Sequence, residues 1–132
     1  MKFIFATLIL AYVSIFSLQV SAQETDGEIF VVVEEPPVFP GGEQALADFI
    51  SQNLVYPQSA LNAEIQGIVY VSFVVEKDGS VSEPKILRGI DPDCDAEAIR
   101  VVMSLPNWTP GKQRGAPIRV QYNLPIKFKL SE

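Results

Sequence analysis

The spacing of apolar side chains divides the chain into a few stretches with different periods. Residues 3–18 are almost continuously apolar. Residues 29–33 are apolar and mostly β-branched, and Pro36, Pro37 and Pro40 close them off as a short strand or extended arm. Ala45, Leu46, Phe49 and Ile50 then recur at helical spacing and predict a helix over about 42–53. Tyr56-Pro57 opens a second short helical piece ending near Glu64, with Pro57 at the favoured first position. Over residues 67–77, Val69, Val71, Phe73 and Val75 share one face, while Ile68, Tyr70 and Val74 make the other apolar too. A strand apolar on both faces belongs in the middle of a sheet.

Lys77-Asp78-Gly79 is a hairpin turn, since Asp-Gly tolerates positive φ. The return strand, residues 80–88, carries Pro84, which suits an edge. Asp91 caps the next helix with Pro92 at its first position; Cys94, Ala98, Val101, Val102 and Leu105 form its apolar stripe, and Pro106 stops it. Residues 108–115 read as a Pro/Gly-bearing loop. Residues 117–130 alternate almost perfectly: Ile118, Val120, Tyr122, Leu124, Ile126, Phe128 and Leu130 point one way, Arg119, Gln121, Asn123, Lys127 and Lys129 the other. The expected fold is α+β, a small antiparallel three-stranded sheet centred on the 67–77 strand with two helices packed on one face.

The first apolar run changes the picture of where the chain resides. Lys2 precedes it and Val20-Ser21-Ala22 ends it with small side chains, the pattern of a cleaved secretory signal. The competing reading is a retained anchor, because residues 3–20 are just long enough to span a bilayer. The expected division is a leader over 1–22, an arm over 23–38 and one domain over 39–132. Cleavage leaves 110 of the 132 residues, enough for one core, and takes the net charge from −6 to −7. A net-negative exported domain is a poor partner for nucleic acid. The single cysteine, Cys94, cannot form an internal disulfide.

Catalytic ingredients are sparse. There is no histidine, which removes the commonest general base and metal ligand. Cys94 lies on an apolar stripe between Asp93 and Asp95, where a thiolate is disfavoured. Asp91, Asp93 and Asp95 imitate the start of a calcium loop, but Ala96 and Val102 occupy the places of its glycine and glutamate. Residues 111–115 have the flavour of a phosphate loop without its spacing. The reading is of a non-enzymatic module with no cofactor and no metal.

The last strand remains. Pro125 lacks the N–H that a central strand needs, so this strand is expected at the sheet's edge. An open edge is either guarded or used. Pro125, Lys127 and Lys129 guard one end, whereas Ile118, Arg119, Val120, Gln121, Tyr122 and Asn123 are less protected. Two readings follow: the edge is simply solvated or pairs with its twin in a homodimer, or a partner peptide adds a strand there. A separate reading is that the domain binds the envelope, for example peptidoglycan.

Tyr56-Pro57, Gly67, the alternating Val69, Val71, Phe73 and Val75, Asp78-Gly79, Val81, Ala98-Ile99, Trp108 with Pro110-Gly111 and the closing 120–128 strand together resemble the TonB C-terminal domain. The resemblance covers about residues 39–130. Pro40-Gly41-Gly42 and the stretch from Pro106 through Lys112 look most like the Bacteroidetes type. It implies a periplasmic domain that captures a segment of an outer-membrane receptor or related envelope protein, pairing it in parallel with the final strand, here residues 118–127. The alternative location is the inner membrane, facing the periplasm, if the leader is retained. In the family the Tyr-Pro segment lies near the captured peptide, which nominates Tyr56 and Pro57. A glutamine often precedes that pair; Gln52 and Asn53 stand nearest here. Trp108 is expected to pack in the core. Full transducers carry a long Pro-rich linker, whereas only residues 21–28 separate the leader from the first strand here. Eight extended residues reach roughly 30 Å.

Overall fold

A computed structural model describes residues 27–131. The leader expected over residues 1–22 lies outside the described residues. Among those described, no helix is long and apolar enough to cross a membrane.

The elements in chain order are β1 (Ile29–Phe30), α1 (Gly42–Asn53), α2 (Gln58–Asn62), β2 (Gly67–Val75), β3 (Val81–Arg88), α3 (Pro92–Met103), β4 (Lys112–Gln113), β5 (Ala116–Pro117) and β6 (Arg119–Phe128). β2 is the central strand. It pairs antiparallel with β6 in an unbroken register from Gly67 opposite Phe128 to Val75 opposite Val120, and with β3 on its other side through a bulged register. Val69, Val71, Phe73 and Val75 are fully buried under the helices. Burying each such side chain contributes about 1.5–3 kcal/mol. Leu46 of α1, Cys94, Ala98, Val101 and Val102 of α3 and Ile126 and Phe128 of β6 complete the same core.

Local chemistry sets the joints. The Asp91 carboxylate accepts from the amides of Asp93 and Cys94 at 3.0 and 3.1 Å, satisfying two donors at the start of α3. Gly79, at φ 88°, closes the β2–β3 hairpin and then docks: its carbonyl accepts from the Trp108 amide at 2.8 Å. A Cβ there would lie 2.0 Å from the Trp108 carbonyl oxygen, so the position admits only glycine.

Three expectations need correction. The sheet has four strands and is mixed, in the order β1-β6-β2-β3, because the arm contributes β1 in parallel with β6. The last strand is therefore not the edge strand expected from Pro125, since β1 pairs with its outer flank at Arg119 and Val120. The arm then turns back antiparallel to the 109–112 segment, with bridges from Glu35 to Lys112 and from Val38 to Thr109. The 108–115 stretch is not simple loop, since β4 and β5 pair there as a small hairpin. Finally, Pro57 caps α2 from outside in extended conformation, and the helix ends at Asn62.

Candidate functional site

The flank of β6 away from β2 is the feature without a partner. β1 covers it only at Arg119 and Val120. From Gln121 to Phe128 no strand pairs with that flank among the described residues. Pro125 sits opposite Tyr70 within the continuous β2–β6 register. A proline leaves that ladder intact only if its nitrogen faces the outer flank. By strand alternation the N–H and C=O groups of Gln121, Asn123 and Lys127 then face outward as well.

A groove of about 440 Å³ runs along this flank. Leu46, Ala47, Ile50 and Leu54 form one wall, and Tyr122, Leu124, Pro125 and Lys127 the other. Leu124 belongs to the core-facing set of β6, whereas Pro125 and Lys127 belong to the opposite set. Only a cavity lying along the edge of a strand, rather than over one face, touches both sets. A smaller cavity of about 250 Å³ continues from Tyr122 past Trp108 and Phe39 to Pro36 and Pro37. The two share Glu43, Leu46 and Tyr122, making one trough between α1 and the β6 edge.

The sequence-nominated residues divide within this geometry. Gln121 and Asn123 lie on the outer part of the strand, and their side chains bond each other at 3.3 Å. Val120 is buried and lines neither cavity, whereas Tyr122 packs its ring on Phe73 and Trp108 and serves both core and trough. Burial, and secondarily Glu43, raises the Tyr122 phenol above its ordinary value. Ile118 precedes the strand and donates its amide to Gly111 at 2.9 Å. Arg119 spans to the Glu76 carboxylate at 2.7 Å and donates to the Gly27 carbonyl at 2.9 Å, and it also pairs with Glu83. Those contacts turn its guanidinium toward the arm.

Tyr56 stands at the far end, its ring edge-on to Phe128 and its hydroxyl bonded to the Ile65 carbonyl. Asn53 bonds back to the Phe49 carbonyl at 2.8 Å and does not line the trough. The junction after α1 is pinned by α3: the Glu97 carboxylate accepts from the Val55 amide, and Arg100 donates to the Asn53 carbonyl, both at 2.7 Å. Glu97 also pairs with Arg100, whose hydrogen bond is the main cause holding the Glu97 carboxyl below its ordinary value. Trp108 is buried as expected, in edge contact with Phe39 and Phe73. The α1 wall was missed because its apolar stripe reads wholly as core. The signal was there: Ile50 and Leu54 extend that stripe beyond what the sheet covers, and both remain half-buried.

Among the described residues no cluster of histidine, cysteine or acidic side chains could hold a metal ion. Cys94 is buried, and desolvation followed by Asp91 raises its thiol to about 11.

The fold is a small α+β domain whose last strand keeps an unpaired flank from Gln121 to Phe128, among the described residues, beside an apolar trough. The profile of the Gram-negative bacterial TonB protein C-terminal family matches residues 52–130, and the chain belongs to that family. The comparison with curated proteins gives no match. The solution structure of the Helicobacter pylori TonB C-terminal domain superposes with a TM-score of 0.53 at 26% identity, covering 67% of this chain and 94% of that one. A longer version of the same domain gives 0.52 at 24% identity, covering 70% and 88%, and supports the fold. TonB C-terminal domains are periplasmic binding and transduction modules that interact with outer-membrane transporters, and they are not known as catalysts.

Proposed function

We propose that this protein is an exported periplasmic module that captures an extended segment of an outer-membrane transporter by adding it as a strand to β6. The observation carrying this reading is the unpaired flank of β6 beside the apolar trough of α1. The partner's backbone would meet the outward amides and carbonyls of Gln121, Asn123 and Lys127. Its alternate side chains would enter the trough among Leu46, Ile50 and Leu54. The site therefore favours a segment with apolar residues at every second position. Tyr56 and Pro57 bound its far end, and Arg119 its near end.

The test is a titration of peptides from the N-terminal segments of outer-membrane receptors against the mature protein. Gln121→Pro and Asn123→Pro each remove an outward donor while sparing the β2 ladder. Both are expected to weaken binding at least about tenfold, the loss of roughly one or two backbone hydrogen bonds, with the circular dichroism spectrum unchanged. Binding that survives both substitutions would place the peptide elsewhere. Mass that grows with protein concentration, with no peptide bound, would replace the reading with a homodimer closed through the same edge.

A further inference from the structure

We propose that the N-terminal arm is a built-in competitor for this edge: Ile29 and Phe30 form a self-strand that holds the rungs at Arg119 and Val120 in cis and yields them to an incoming peptide. The inference rests on β6 being the strand-accepting edge. β1 lies parallel to β6, with Ile29 opposite Arg119 and Phe30 opposite Val120. The arm is held by more than its own ladder, because Arg119 donates to the Gly27 carbonyl while Glu76 fixes the guanidinium from the other side.

Pairing stops after two residues although the composition suited to it continues. Val31 and Val32 are β-branched and apolar, yet 68% and 86% exposed. Continued in the same register, residues 31–33 would lie opposite residues 121–123, the first open rungs. They turn away because Glu35 and Lys112 exchange backbone hydrogen bonds at 2.8 and 3.1 Å, and Val38 and Thr109 do the same. That second anchor also keeps the arm close once β1 is released. A strand whose last paired residue, Phe30, lies only a few positions before the anchored Glu35 has an effective concentration on the order of millimolar or higher. A two-residue pairing is nevertheless short, so a longer visitor can displace it.

The chain's own arm supplies the probe. A synthetic peptide with the sequence of residues 28–35 is titrated onto the intact protein and onto Phe30→Pro and Ile29→Pro variants, with amide shifts followed by NMR. β1 contributes no residue to the buried core, so both variants are expected to keep the wild-type melting temperature within a few degrees. The variants should bind the peptide about tenfold more tightly than wild type, the worth of the lost cis pairing, with shifts concentrated at residues 119–123. Equal affinity for wild type and variants, or no binding to any of them at millimolar peptide, would overturn the inference. Retained arm-peptide binding alongside failure of every receptor peptide would instead count against the transporter reading alone.

Discussion

At the scale of single residues, two glycines fix where the chain may come close to itself. Gly79 lets the tip of the β2–β3 hairpin lie on the Trp108 backbone, and Gly111 sits where a Cβ would be 2.6 Å from a Val120 methyl and 3.2 Å from the Glu35 carbonyl. The first contact is the more demanding, because the obstructing atom belongs to a hydrogen-bonded main chain. Gly79→Ala adds a left-handed penalty of about 1–2 kcal/mol to that collision. Its expected loss of stability is at least about 3 kcal/mol, as a displaced hairpin also disturbs Trp108. Chemical denaturation of the purified variant measures it. Cys94 illustrates the opposite situation, a chemically capable group silenced by its surroundings. Burial and Asp91 keep its thiol protonated at neutral pH, and its place on α3 is one of packing.

Among the elements, those defined by an internal period were legible in the sequence. α1 has the bounds its spacing predicts, α3 starts at the cap Asp91 defines, and β2 is central because both of its faces are apolar. β6 was legible through its alternation, whereas the edge position inferred from Pro125 was not borne out, because β1 pairs with its outer flank at Arg119 and Val120. Less legible were the pieces whose structure is decided by distant partners. Ile29-Phe30 becomes a strand only because β6 offers it a flank, and Lys112-Gln113 pairs with Ala116-Pro117 in a hairpin too short to show a period. The same limit hid half of the site. The sequence pointed to one strand and to Asn53, Tyr56 and Pro57, while the second wall of the trough is the margin of a helix whose inner face forms core. Ile50 is the informative position on that margin, being half-buried in the native fold and lining the trough. Ile50→Gln is expected to cost about 1 kcal/mol in stability but to weaken an apolar partner peptide about tenfold or more. Isothermal titration alongside thermal melting separates the two effects, and equal affinity would remove α1 from the recognition surface.

For the whole molecule, two carboxylates tie separate parts together. Glu76, at the end of β2, holds Arg119 and through it the arm; Glu97, on α3, holds the junction after α1. Both carboxyls lie below their ordinary value, chiefly through hydrogen bonds from Arg119 and Arg100 respectively. A carboxyl depressed by folding stabilises the folded state fully above its unfolded value, about 4.3 for glutamate, and that contribution is lost as pH falls through the folded value. Stability should therefore be flat from pH 7 to about 5 and fall below about 4. Glu76→Gln should reduce that slope and speed hydrogen exchange near Arg119. An unchanged acid limb in the variant would show that Glu76 has no part in it.

The polarity of β1 has a mechanical consequence. The described chain begins at Gly27, beside the Arg119 end of β6, and a visitor lying in the same direction as β1 would leave the domain at the Phe128 end. Under the strand-addition proposal, tension applied between those two ends would run along the strands, so the rungs between visitor and host would be loaded together in shear instead of being peeled one at a time. A short ladder gripped that way resists pulling far better than its equilibrium affinity suggests.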